Sequence, residues 1–233
     1  MKVYVAPIVA LALLASCNEP QQPVTPPAQA AVETRVDVPV NGSEVRILAF
    51  GDSLLAGYGL KQGEGYPARL EAALRARGIK ARLIDAAVSG DTSQAGAQRL
   101  AFALDAQASP PDLAVVSLGG NDMLRGLPPE ETRKSLEAIL AEFDKRGIRV
   151  VLLGMLAAPN LGKDYADTFN PIYPALAKAH GDTLVPFFMQ PLVENPALVQ
   201  PDRIHPTAEG VEAMVASTVD AVVEAVGGKG GGR

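Results

Sequence analysis

Short, nearly continuous apolar runs alternate along this chain with longer stretches in which apolar residues recur every three or four positions. The runs, Val45 to Phe50, Arg82 to Val88, Leu113 to Leu118, Arg149 to Leu156 and Thr183 to Phe188, lack the in-out alternation of a half-solvated strand. They predict five strands buried on both faces. The periodic stretches, Tyr66 to Arg77, Ser93 to Leu104, Pro129 to Arg146, Pro171 to Ala179 and Thr207 to Val226, predict helices with one apolar stripe. The third has the clearest ends, with Pro128 and Pro129 at its start, Glu130 and Glu131 in its first turn, Lys145 and Arg146 in its last and Gly147 beyond it. Strand and helix in alternation require right-handed crossovers, so the expected fold is α/β, a three-layer α/β/α domain around a five-stranded parallel sheet.

The two ends break the pattern. Lys2 precedes an apolar stretch from Val3 to Leu14 that is too short to span a bilayer and suits a secretory signal. It closes in Leu14-Ala15-Ser16-Cys17, which resembles the lipobox of bacterial lipoproteins, and this resemblance implies lipidation of Cys17, the chain's single cysteine. Asn18 in place of aspartate implies an outer-membrane rather than inner-membrane address. Residues 18–43, with Gln21-Gln22-Pro23-Val24-Thr25-Pro26-Pro27, read as a proline-rich tether. The Gly-rich tail, residues 227–233, reads as a segment that cannot pack. One domain, residues 44–226, remains between them.

Composition narrows the function classes. With 48% hydrophobic residues among 233, the chain can bury a substantial core. A net charge of −5 and no basic cluster argue against nucleic acid, which is bound by neutralising phosphates. No Cys/His cluster, His-Glu-x-x-His or Gly-rich phosphate loop occurs, so neither metal nor cofactor is expected.

The chemistry concentrates where predicted strands end. Gly51-Asp52-Ser53-Leu54 puts a serine on the first turn after the opening strand, at the sheet edge where ligands bind in parallel folds. A serine hydroxyl needs an imidazole to take its proton and a carboxylate to fix the imidazole tautomer. Asp202 and His205, in Pro201-Asp202-Arg203-Ile204-His205-Pro206, can supply both. The other histidine, His180, sits where a helix ends and reads as structural. Gly90, in Ser89-Gly90-Asp91-Thr92, and Asn121, in Gly119-Gly120-Asn121-Asp122, offer an exposed backbone N–H and an uncharged amide as oxyanion donors. Gly-x-Ser-x-Gly is absent at Ser53, since Leu55 replaces its second glycine, so the α/β-hydrolase elbow is not supported.

Taken in order, Gly51-Asp52-Ser53-Leu54, Gly90, Gly120-Asn121-Asp122 and Asp202-x-x-His205 resemble the four signature blocks of the SGNH or GDSL hydrolases. The longer match through Gly59, with Ser89 to Thr92 and Leu118 to Asp122, is similar to the arylesterase, acyl-CoA thioesterase I and lysophospholipase L1 branch. The resemblance implies a flavodoxin-like strand order, 2-1-3-4-5, with Ser53 as nucleophile, His205 as base and acid, and Asp202 as its orienter. It also implies an oxyanion hole of the Ser53 and Gly90 N–H groups and the Asn121 side chain. Arg203 departs from the glycine often found at its position. The expected function is ester hydrolysis through an acyl-enzyme by a monomer in the cell envelope, on small acyl-ester or lipid substrates. An O-deacetylase of cell-wall or exported polysaccharide and a tethered binding lipoprotein are the alternatives. Leu156, Leu161, Tyr165 and Phe169, in the segment from Met155 to Phe169, can wall an acyl groove or merely anchor a loop.

Overall fold

The computed structural model describes residues 40–228. The signal and lipobox with Cys17, most of the tether, and the tail from residue 229 onward lie outside the described residues.

In chain order the elements are β1 (Val45–Gly51), α1 (Ser53–Ala56), α2 (Tyr66–Ala76), β2 (Ala81–Asp85), α3 (Ser93–Asp105), β3 (Leu113–Ser117), α4 (Gly120–Leu124), α5 (Pro129–Lys145), β4 (Arg149–Leu153), α6 (Lys163–Phe169), α7 (Ile172–His180), β5 (Thr183–Val185), α8 (Gln190–Glu194) and α9 (Ala208–Gly227). All strands are parallel, in the order β2-β1-β3-β4-β5, as the resemblance implied. Helices α2 and α9 pack together, while α3 packs on α5 and α5 on α7. The five expected strands and five expected helices are therefore present.

Burial explains why the apolar runs are continuous. Ile47 to Phe50, Leu113 to Val116 and Val151 to Leu153 are wholly inaccessible because helices cover both faces of the central strands. On α5 the buried residues Thr132, Leu136, Ile139, Leu140 and Phe143 follow helical spacing and form the stripe that meets the sheet. On α2 and α9 the stripes carry one polar link, Tyr66 Oη to Thr218 Oγ1 at 2.7 Å, which satisfies both buried hydroxyls.

Three strands stop three residues earlier than the apolar runs suggest. β2 ends at Asp85, although Ala86 and Val88 still donate to the Ala49 and Gly51 carbonyls of β1. β4 ends before Gly154, where an added Cβ would lie 2.5 Å from the Pro186 carbonyl oxygen. β5 ends at Val185 because Pro186 has no N–H to continue the ladder. The chain leaves the sheet at all three places on the edge where the candidate chemistry lies. The short helices α1, α4, α6 and α8 went unpredicted, being too brief to show a period. At the far end α9 includes Gly227, one residue past the expected boundary, and the Arg149 guanidinium donates to the Ala225 and Gly228 carbonyls there.

Candidate active site

The site begins where β1 runs out. Gly51 pairs with Ser117 of β3, and a Cβ at Gly51 would lie 2.6 Å from the Ser117 carbonyl oxygen, so no larger residue fits that crossing. Asp52 caps α1, its Oδ1 accepting from the Leu54 N–H at 3.1 Å. Ser53 is then the first helical residue, a position whose N–H has no intrahelical acceptor.

The partners arrive from the other end of the chain. Residues 199–206 form a tight loop before α9, closed by an antiparallel bridge between Val199 and Pro206 and by the Gln200 N–H on the His205 carbonyl at 2.8 Å. The Gln200 amide donates to the Tyr58 and Pro206 carbonyls, at 2.9 and 2.8 Å, and so fastens this loop to the turn after α1. His205 Nε2 then lies 2.8 Å from Ser53 Oγ and its Nδ1 lies 2.7 Å from Asp202 Oδ2. Asp202 Oδ1 accepts from the Ile204 and His205 N–H groups, each at 3.0 Å. The bond from His205, followed by the two backbone N–H groups, holds the Asp202 carboxyl down at about 2. In the neutral imidazole the Asp202 anion therefore keeps the proton on Nδ1, which leaves Nε2 to accept from Ser53. The Tyr58 ring lies against the imidazole, centroids 4.4 Å apart. The structure thus brings together the three residues that the sequence put in one reacting group.

The loop after β2 and the start of α4 complete the site. Gly90 has φ of +87°, a left-handed conformation that favours glycine, and its carbonyl accepts from the Arg125 guanidinium at 2.7 Å. Asn121 Nδ2 donates to the Asp91 carbonyl at 3.0 Å and to Asp52 Oδ2 at 3.2 Å. Both of its hydrogens thus have acceptors, and to serve an oxyanion the amide must exchange the longer bond, to Asp52. Burial raises the Asp52 carboxyl to about 6, against the Leu54 and Asn121 bonds that lower it. Sequence reasoning gave Asp52 no role beyond the motif.

Two further supports carry little or no sequence signal. The Arg99 guanidinium donates to Asp91 Oδ2 at 2.5 Å, to the Ala86 carbonyl at 2.7 Å and to the Gly51 carbonyl at 3.1 Å, and it lies over the Phe50 ring. One side chain thereby ties the ends of β1 and β2 to the Gly90 loop. Asp122 is buried and accepts from Ser93 N, Ser93 Oγ and Thr132 Oγ1, at 2.8, 2.5 and 3.2 Å, joining α3, α4 and α5. Its place in the Asn121-Asp122 pair was the only hint. His180, by contrast, pairs with Asp144 at 2.6 Å between α7 and α5 and does not line the site, as a structural histidine should.

A cavity of about 730 Å³ opens beside Ser53 and His205, and Ser53, Gly90 and Asn121 all line it. Its wall is mostly apolar, from Met123, Met155, Phe187, Met189 and Val193 among others. Of the segment from Met155 to Phe169, Met155, Leu156, Ala157, Ala158 and Pro159 line this space, while Leu161 does not. Phe169 instead joins the core and stacks with Tyr165, whose hydroxyl donates to the Leu127 carbonyl. That segment is both wall and anchor. Among the described residues no group of three His, Cys, Asp or Glu side chains is placed to hold a metal.

The geometry agrees with what the chain is similar to. Residues 49–213 match the GDSL-like Lipase/Acylhydrolase family. The chain is 37% identical over 164 residues to an arylesterase of Vibrio mimicus, covering 70% of this chain and 81% of that protein. It is 37% identical over 163 residues to the Escherichia coli (strain K12) thioesterase 1/protease 1/lysophospholipase L1, covering 70% and 76%. Among solved structures, AlinE4, an SGNH-hydrolase family esterase, superposes with a TM-score of 0.69 at 54% identity, covering 80% of this chain and 98% of that one.

Proposed function

The chain belongs to the GDSL-like lipase/acylhydrolase family and is a serine ester hydrolase, and on that premise we propose that Ser53, His205 and Asp202 carry out the reaction through an acyl-enzyme. The observation that carries this reading is the unbroken relay from Ser53 Oγ through both ring nitrogens of His205 to Asp202, at 2.8 and 2.7 Å. His205 Nε2 takes the Ser53 proton as Oγ bonds the ester carbonyl carbon. The carbonyl oxygen becomes an oxyanion held by the Ser53 and Gly90 N–H groups and, once it leaves Asp52, by the Asn121 amide. The bond to the leaving oxygen then breaks as His205 returns the proton to it. Water enters and repeats the sequence on the acyl-enzyme, releasing the acid.

The apolar cavity supports an acyl chain longer than acetyl, since an acetyl group would leave most of 730 Å³ unfilled. This favours lipid or longer acyl esters over polysaccharide O-deacetylation. The lipobox-like Leu14-Ala15-Ser16-Cys17 supports a lipid anchor on Cys17 and an envelope location, most simply the periplasmic face of the outer membrane. Ser53→Ala should abolish aryl-ester turnover and fluorophosphonate labelling with the circular dichroism unchanged, and Asn121→Ala should lower kcat on the order of 10²-fold. Turnover in Ser53→Ala equal to wild type would end the reading.

A further inference from the structure

One charged side chain on the cavity wall takes no part in the relay. Arg203 lies between Asp202 and His205, is exposed, and lines the cavity that holds Ser53. It is the one non-glycine residue with positive φ among the described residues, at +64°. That conformation disfavours a side chain, which accounts for the glycine often found there in the family. Among the described residues no carboxylate pairs with its guanidinium, whereas Arg69, Arg77, Arg99, Arg133 and Arg146 of this acidic protein each hold one. The remaining wall supplies no other lysine or arginine.

The direction of the reaction says which part of a substrate meets it. His205 Nε2 must hand its proton to the leaving oxygen, so the alcohol part of the ester departs on the His205 side. Arg203 and Ile204 directly precede His205 in the chain and line the cavity with it, whereas Met155 and Leu156 come from the segment after β4. We propose that Arg203 is a specificity residue that selects esters whose alcohol part carries a negative charge, a carboxylate, sulfonate or phosphate group. The guanidinium offers its positive charge to such an anion on the cavity wall, at a site no other lysine or arginine lines. This inference rests on the assignment of Ser53 and His205 above.

The test compares phenyl acetate with 4-acetoxybenzenesulfonate, taking the ratio of their kcat/KM values in wild type and in Arg203→Gln, Arg203→Lys and Arg203→Glu. Comparing one ratio across variants cancels the differing reactivity of the two esters. Arg203→Gln should lower the ratio for the anionic ester about 3- to 5-fold, the size of a partly exposed ion pair. Arg203→Glu should lower it further, Arg203→Lys should keep most of it, and added salt should shrink the wild-type preference. A ratio unchanged in Arg203→Gln, or lost equally in Arg203→Lys, overturns the proposal while leaving the relay untouched. Full turnover of both esters by Ser53→Ala would overturn the relay itself, whatever the ratio.

Discussion

Replacing Asp202 by asparagine should silence the enzyme without unfolding it, for a reason that can be read atom by atom. Asp202 Oδ1 accepts two backbone N–H groups, from Ile204 and His205, while Oδ2 faces His205 Nδ1. In Asp202→Asn the amide oxygen must stay at the Oδ1 position, because turning the amide over would set its NH₂ against two N–H donors. That flip forfeits two hydrogen bonds, a cost of about 1 to 3 kcal/mol. The amide NH₂ therefore occupies the Oδ2 position and donates to Nδ1, which forces the ring proton onto Nε2. Nε2 then meets Ser53 Oγ as a donor and cannot remove its proton. A tautomer error of this kind costs on the order of 10⁴-fold in kcat in a serine protease triad, and the same size is expected here. The two backbone bonds persist in the variant, so the loop before α9 should hold its shape. The assay is kcat on an aryl ester, with ¹⁵N NMR of the His205 ring and a denaturant melt on the same samples. Wild type should carry its ring proton on Nδ1 and Asp202→Asn on Nε2. A kcat within tenfold of wild type, or a ring that keeps its proton on Nδ1, refutes the reasoning.

Two further outcomes follow from buried groups at the same sheet edge. Asp52 titrates near 6 in the folded chain against an ordinary 3.8, so between those values the native state binds more protons than the unfolded one. Stability should therefore fall as pH rises through about 4 to 6, by about 3 kcal/mol from this group. Asp52→Asn should remove that component, and parallel pH profiles of the urea midpoint in variant and wild type would sink it. At Gly119, φ is +105° and an added Cβ would lie 2.2 Å from Tyr173 Oη, so Gly119→Ala should cost about 3 kcal/mol or more. Tyr173→Phe removes that hydroxyl together with its 2.8 Å bond to the Leu118 carbonyl. In its background Gly119→Ala should cost at least about 1 kcal/mol less, whereas strictly additive losses in a double-mutant cycle would show that the contact is not the cause.

The sequence by itself determined the layers, because burial on both faces writes itself into the runs from Val45 to Phe50 and Leu113 to Leu118 as unbroken apolarity. It determined the five longer helices with equal force, since a stripe such as Leu136, Ile139, Leu140 and Phe143 has no use except against a sheet. It also marked Ser53, Gly90, Asn121, Asp202 and His205, because residues of those types directly after strands, or just before a helix, are where a parallel fold exposes chemistry. Strand order came from family resemblance, not from periodicity, since the period of a strand says nothing about its neighbours. Strand ends came from the structure alone: whether the run after Arg149 continues or turns at Gly154 depends on the approach of Pro186, a contact set by tertiary packing. So did the supports of the site. Arg99 is an ordinary polar position on a helix until the fold brings the Gly51, Ala86 and Asp91 oxygens within its reach. The 2.8 Å between Ser53 and His205 spans 152 residues of chain, and only the stacked layers of the sheet could close that distance.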